Sequence, residues 1–212
     1  MAESIKQLKN EIKRLTGLTE KKDKEIVRLQ MAADRDFLTG LYNRQGFVRE
    51  AWKFLNEAGH AVHAKKEKRK GFNIKNFSLI FIDIDDLKKV NDIYGHKSGD
   101  KLLKSAAEIF SNSVREFDVV ARWGGDEFII GLLDASENEA YKVAAKMKDK
   151  LARLRIPEVK EKRKFTASFG VISAISKRRK EEIFNLYELI ERADIAMYQA
   201  KKNMGKNFIM AL

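Results

Sequence analysis

Between Ile5 and Leu29 apolar residues recur at the spacing of a helix seam: Ile5, Ile12, Thr19 and Ile26 fall every seventh residue, with Leu8, Leu15, Lys22 and Leu29 between them. That is the a/d pattern of a coiled coil. Thr19 and Lys22 weaken its middle, and Gly17 lowers helix propensity in the same place. Such a helix can pair with a second chain or fold back on the body. From Asp34 the pattern changes. Turn residues at Thr39, Gly40, Asn43 and Gly46 precede a short helix that carries Phe47, Ala51, Phe54 and Leu55 on one face. Residues 56–76 are polar, basic and aperiodic, and read as a long loop or as a helix extension ending in one. Residues 77–82 are nearly all apolar and end in acids, as a buried strand does. Leu102, Leu103, Ala106, Ile109 and Phe110 mark a helix. Residues 119–122 and 127–133 read as strands around Trp123-Gly124-Gly125-Asp126, which has the composition of a hairpin tip. A helical stripe of Ala140, Val143, Ala144, Met147, Leu151 and Leu154 stops before Pro157, residues 165–172 read as a strand, and Leu186, Leu189, Ile190, Ala193, Met197 and Ala200 mark a last helix. The mixture predicts an α+β fold with helices packed on a mainly antiparallel sheet, residues 1–33 forming a helix ahead of one domain over 34–212.

Composition narrows the classes of function. The chain has 212 residues, room for one good-sized domain with an appendage. With 44% hydrophobic residues it can bury a core, and with 12 Gly and one Pro it is neither collagen-like nor of low complexity. Cys is absent, which excludes disulfides and thiol nucleophiles, and 3 His make a zinc enzyme improbable. No apolar run approaches the roughly 18 residues of a membrane span, and the start lacks a secretory segment, so a cytoplasmic protein without a membrane partner is expected. The net charge of +12 draws polyanions in general. Much of it lies in runs at 65–70, 160–164 and 177–180, read as solvated surface. Aromatic residues are not interleaved with these runs as stacking platforms, so nucleic acid is not the expected partner.

The strongest local signal is Gly124-Gly125-Asp126-Glu127-Phe128. Paired glycines let the backbone turn sharply and approach a ligand, while adjacent acids put negative charge at the tip. Taken alone it also fits an ordinary hairpin. A second acidic group, Asp83, Asp85 and Asp86, ends the apolar strand, and hard oxygen ligands of this kind suit Mg²⁺ in phosphate chemistry. Alternation puts Asp83 and Asp85 on one face and leaves the Ile84 carbonyl available. Downstream, Lys88 offers a cation for a phosphoryl oxygen and Asn91 an amide for a base edge. Asp100 offers an acceptor pair matching the N1–H and N2 amine of guanine, or else an N-cap after Gly99. His96 alone is as consistent with packing or capping.

These motifs together resemble the GGDEF family of diguanylate cyclases over roughly residues 34–210. Residues 36–44 (Asp-Phe-Leu-Thr-Gly-Leu-Tyr-Asn-Arg) resemble the family's opening signature, and residues 83–100 its metal and guanine segment. Trp123 to Phe128 resembles its signature turn, and Ala193 to Lys201 its final helix. The resemblance implies a fold similar to the polymerase palm and adenylate cyclases. It implies condensation of two GTP into cyclic di-GMP with release of two pyrophosphates, and since each half-site holds one GTP, two subunits of a homodimer must face each other, with the N-terminal heptads the segment expected to pair them. It implies Mg²⁺ or Mn²⁺ held by Asp83, the carbonyl of Ile84 and Asp126. Glu127 matches the proton acceptor, a role a metal-bound water can also fill, and Lys88 the transition-state stabiliser. Asn91, His96 and Asp100 match the guanine contacts. Phosphate contacts fall on the backbone around Asp86, Leu87 and Lys88, and on Lys201 or Lys202 and Lys206. The segment Ala200 to Asn207 is one residue longer than the family pattern and has Lys206 in place of Arg, while Leu87 replaces the usual Phe. Arg115 and Asp118, spaced ahead of the turn, match the inhibitory product site, which implies feedback inhibition by cyclic di-GMP. A catalytically inactive module that binds GTP or cyclic di-GMP is the competing reading.

Overall fold

The computed structural model describes residues 2–63, 76–159, 163–175, 185–203 and 205–211. The basic runs at 65–70 and 177–180, and residues 160–162 of the third run, lie outside the described residues.

Helix α1 (Ala2–Ala33) runs without interruption through Gly17, and residues 5–30 are exposed along its whole length. It does not fold back on the body. Thr16 and Thr19 turn their hydroxyls onto the carbonyls of Ile12 and Leu15, satisfying their own polar groups inside the helix. The chain then bends at Asp34, a buried carboxylate ion-paired with Arg49 of α2 (Arg44–His63). Asn43 fixes the bend by donating its side-chain amide to the Ala33 carbonyl at 2.7 Å and accepting from Gly46 N–H at 2.9 Å. Of the stretch 56–76, the helical extension is seen as far as His63.

The sheet has five strands in the order β2-β3-β1-β4-β5. β1 (Asn76–Ile84) is central and pairs antiparallel with β3 (Glu127–Leu133) and β4 (Ala167–Ile175), and β2 (Val119–Gly124) pairs antiparallel with β3. The α+β, mainly antiparallel expectation therefore holds. Strand alternation sorts the core into two layers. Ile80, Ile82 and Ile84 of β1 pack with α4 (His96–Ser111) and α5 (Glu137–Arg153), whereas Phe77, Leu79 and Phe81 pack with α2 and α6 (Leu186–Asn203). Helix α5 begins with a capping box in which Ser136 and Glu139 satisfy each other's backbone, and it ends before Pro157 as its stripe predicts.

The structure differs from the sequence reading at several boundaries. β4 starts and ends later than 165–172, and β5 (Ile209–Ala211), parallel to β4, was not foreseen. A strand of three residues is too short to show alternation. A separate helix, α3 (Leu87–Tyr94), precedes α4, the two joined at Gly95 with φ +82°. The N-cap of α4 is Gly95, so Asp100 is not an N-cap but lies inside the helix with an exposed side chain.

Candidate active site

β1 runs past its apolar stretch, so Asp83 is the last but one residue of the strand and lies directly opposite Glu127, the first residue of β3. Directly paired residues share a face, here the face toward α6. The Ile84 amide donates to the Asp126 carbonyl at 3.0 Å, which ties the signature turn to the strand end. Gly125 has φ +49°, a left-handed value that glycine takes without penalty. Gly124 is different. Its φ is not left-handed, and a Cβ there would meet nothing within 4 Å, so no contact among the described residues requires glycine. The space in front of it stays open for a ligand.

Arg122 braces this turn. Its Nη2 and Nε donate to the Gly125 carbonyl at 2.7 and 3.0 Å, and its Nη1 faces both oxygens of Asp36 at 3.3 Å. Asp36 in turn accepts from the amide and hydroxyl of Thr39. Burial disfavours the Asp36 anion, but the Thr39 hydrogen bonds and the Arg122 charge outweigh it and hold the carboxyl below its usual range. The opening signature is thus wired to the turn across 86 residues of sequence, a link that no local pattern reveals.

The acids after β1 separate into different jobs. Asp85 is buried and turned toward β4, where it accepts from Thr166 Oγ1 at 2.7 Å, Ser168 Oγ at 3.1 Å and Asn207 N–H at 3.1 Å. It anchors the C-terminal loop. Asp86 takes the left-handed conformation (φ +59°) tolerated by Asp, and its carboxylate meets Lys206 at 2.6 Å and Lys89 at 3.0 Å. Those two lysines, Lys206 first, keep the Asp86 carboxyl acidic. Lys201 on α6 reaches Asp83 Oδ1 at 2.8 Å. Of the C-terminal lysines, then, Lys201 and Lys206 meet the acidic cluster. Lys202 instead lies 6.0 Å from the Tyr198 ring.

Burial pushes the Asp83 carboxyl above its ordinary range, and the nearby charges of Asp126 and Asp85 push the same way against the single opposing ammonium of Lys201. Lys201 is disfavoured by burial, yet Asp83, Asp126 and Asp85 together raise it. Both partners shift upward for different reasons: burial, helped by two acids, outweighs the one lysine at Asp83, whereas three acids outweigh burial at Lys201. Glu127 is raised by burial, then by Asp194, Asp83 and Asp126. Asp194 is itself raised by burial. The sequence reading gave Asp194 no role, although its spacing of seven from Lys201 already sets both on one face of α6.

Lys88 projects from the first turn of α3 with no partner among the described residues. Asn91 lies where α3 crosses α4, against Gly99, where a Cβ would overlap the Asn91 side-chain oxygen in its present position. That oxygen is buried without a hydrogen-bond partner among the described residues. His96 and Asp100 stand one turn apart on the exposed face of α4 nearby. Leu87 packs partly buried on the core. Arg115 is exposed, with its guanidinium 5.7 Å from the Phe117 ring. The Asp118 carboxylate accepts from the amides of Arg115 at 2.9 Å and Leu133 at 3.0 Å, and burial raises its pKa.

A cation fits this arrangement. Asp83 and Asp126 hold more negative charge than Lys201 offsets, and the Lys201 ammonium already stands where a positive charge is wanted. Among the described residues no three acidic or histidine side chains form a closed metal site. An ion held here would draw remaining ligands from a backbone carbonyl and from the phosphate of a substrate.

The family description "Diguanylate cyclase, GGDEF domain" matches residues 33–207. The chain belongs to the GGDEF family. Diguanylate cyclase DosC of Escherichia coli (strain K12) is 34% identical over 205 residues, which is 95% of this chain and 39% of DosC. This GGDEF chain thus spans about two-fifths of the length of that relative. Among solved structures, the coiled coil and GGDEF domain of DgcB from Caulobacter crescentus, in complex with c-di-GMP, superposes with a TM-score of 0.74 at 22% identity. It covers 97% of this chain and 99% of DgcB's, a likeness of fold. Diguanylate cyclase SiaD of Pseudomonas aeruginosa, in complex with its activator SiaC, gives 0.68 at 30% identity over 98% of this chain and 74% of SiaD's. Among the described residues no helix is long and apolar enough to cross a membrane.

Proposed function

We propose that this chain is a diguanylate cyclase module that joins two GTP molecules into cyclic di-GMP and releases two pyrophosphates. The observation that carries the reading is the meeting of Asp83, Asp126 and Glu127 at the open end of β1 and β3, with Lys201 and Lys206 on the flank toward β4 and β5. Relatives named diguanylate cyclase support it.

Asp83, the Ile84 carbonyl and Asp126 would hold Mg²⁺ or Mn²⁺, which supplies charge neutralisation at the α-phosphate and the departing pyrophosphate. Lys201 and Lys206 exchange their carboxylate partners in part for triphosphate oxygens, and Lys88, uncommitted in this structure, adds charge as the bond to pyrophosphate lengthens. Asn91 offers its orphaned oxygen to the guanine edge, beside His96 and Asp100 on α4. In each step a 3′-oxygen forms a bond to an α-phosphorus, the bond from that phosphorus to the pyrophosphate oxygen breaks, and the hydroxyl proton passes to the Glu127 carboxylate. Glu127 suits that task because burial and three neighbouring acids raise its proton affinity. Each half-site holds one GTP, so two copies must face each other, and α1, with its exposed apolar seam, is the element that pairs them. Arg115 and Asp118 form the site where cyclic di-GMP restrains the enzyme.

One assay tests the reading. Purified protein with GTP and Mg²⁺ should yield cyclic di-GMP and pyrophosphate in a 1:2 ratio. Asp126→Ala should lower turnover by at least 10³-fold while retaining the fold, and Arg115→Ala should raise the concentration of cyclic di-GMP needed for inhibition. Undiminished turnover by Asp126→Ala contradicts the mechanism, and an unchanged inhibition constant contradicts the product site.

A further inference from the structure

A cavity of about 430 Å³ opens beside the signature turn, lined by Asp36, Asn43, Arg44, Gln45, Arg122 and Trp123, with Gly124 and Gly125 at its edge. The acidic cluster does not explain it. In the sheet order β2-β3-β1-β4-β5 the carboxylates of Asp83 and Glu127 sit at the centre, and Lys201 and Lys206 approach from the side of β4 and β5. The cavity lies on the opposite flank, against β2 and the start of α2.

Its polar groups are unequally committed. Arg122 is saturated by Asp36 and the Gly125 carbonyl, and Asn43 is spent on Ala33 and Gly46. Arg44 is not. Its guanidinium lies 4.6 Å above the Trp123 ring and, among the described residues, has neither a carboxylate nor a carbonyl partner. Gln45, next to it, is exposed and equally unengaged among the described residues. Trp123 is packed edge-on against Phe47 and Phe81, at 6.1 and 6.0 Å between ring centres, which orients the platform under the guanidinium. An uncommitted planar cation resting on a packed indole, with an exposed amide beside it, can meet an anionic ligand rich in hydrogen-bond acceptors. Those are the properties of a nucleotide.

We propose that this cavity receives the second nucleotide of the reaction, the GTP that a facing subunit presents for attack, with Arg44 contacting its phosphates and Trp123 backing the contact. The inference rests on the two-nucleotide reading above. The lysine flank serves the GTP bound by this subunit and the arginine flank serves the incoming one, so the two triphosphates approach the acidic cluster from opposite sides. Arg44 is then a contact made across the dimer. Its loss should impair the reaction without weakening binding of a subunit's own GTP.

The test uses the full chain carrying Trp52→Phe, so that Trp123 is the one remaining indole of the two Trp. The probe is a GTP analogue whose α,β-bridging oxygen is replaced by methylene. Arg44→Ala should lower kcat at least tenfold, leave the analogue's Kd for dilute protein within twofold, and be partly rescued by Arg44→Lys. Trp123 emission should respond to the analogue at protein concentrations that sustain turnover and not on dilution. The proposal is overturned by a kcat within twofold of the unmodified chain, by a Kd that rises in step with the loss of kcat, or by Trp123 emission unresponsive at saturating analogue. If the unmodified chain makes no cyclic dinucleotide from GTP, the enzyme reading fails by itself. The emission then decides the cavity alone, a concentration-dependent response supporting it and silence overturning it.

Discussion

Asp83, Glu127 and Asp194 share one difficulty: each is partly buried, and each is pushed toward its protonated form. A carboxyl whose folded pKa lies above its unfolded value favours the native state while protonated. These groups therefore contribute stability that falls as pH rises from the ordinary carboxylate range through their raised values. Asp36 and Asp86, held low by their cations, work in the opposite sense and stabilise above the ordinary range. At neutral pH the raised group is a standing penalty, and the divalent cation proposed for this site would relieve it. Glu127 carries part of that penalty, raised by burial and then by Asp194, Asp83 and Asp126 against one attraction to Lys201. Glu127→Gln should accordingly raise the cation-free melting temperature at pH 7, by no more than about 2–4 °C because solvent screens a half-exposed group. The gain should vanish as pH falls below the ordinary carboxylate range. Melting curves at a series of pH values check this, and a lowered melting temperature at pH 7 would contradict the electrostatic account. A residue that weakens the empty fold while serving the site is a functional compromise.

At the scale of elements, the site depends on how closely α6 lies on β4. Gly170 makes that approach, since a Cβ there would overlap the Ala193 carbonyl oxygen and the Met197 amide nitrogen, backbone atoms that cannot swing aside. Moving α6 outward carries Lys201 away from Asp83 and Asp194 away from Glu127. Gly170→Ala should cost about 1–3 kcal/mol by overpacking and lower turnover together with stability, as denaturant titration and the GTP assay would report. Unchanged stability would mean that the contact is looser than described. This layer of the fold was only partly legible in the sequence. Apolar stripes marked α4, α5, α6 and the central strands because burial imposes a period on each. The Asp36–Arg122 brace, the Asp34–Arg49 pair and the anchoring of Asp85 by Thr166, Ser168 and Asn207 join residues far apart in the chain, and no spacing rule connects them. The boundary between α3 and α4 was missed for a different reason. Gly95 changes the chain's direction after a helix of only eight residues, and reading the segment as a string of ligands hid the short apolar stripe of Leu87, Val90 and Tyr94 inside it. The signature turn and the acids of β1 were legible because glycines and carboxylates at a strand end have few structural uses.

For the whole molecule, an asymmetry stands out. The body buries most of its apolar residues and exposes the others singly, such as Phe37 and Ile93, whereas α1 leaves a continuous seam of Ile5, Leu8, Ile12, Leu15, Ile26 and Leu29 about half exposed or more. A solvent-exposed helix with a heptad seam gains most from a second copy of itself, and a reaction that needs two GTP-bearing faces gains from being held together. A chain lacking residues 1–30 should lose at least tenfold in specific activity at dilute protein and recover part of it at high concentration. Full specific activity on dilution would show that pairing through α1 has no part in catalysis. The account as a whole stands on the claim that Asp83 and Asp126 hold one divalent cation between them when GTP is bound. Mn²⁺ binding, followed by electron paramagnetic resonance with the methylene GTP analogue present, tests that most directly. Asp83→Asn and Asp126→Asn should each weaken binding at least tenfold, and Mn²⁺ bound equally well by both variants and the unmodified chain would contradict it.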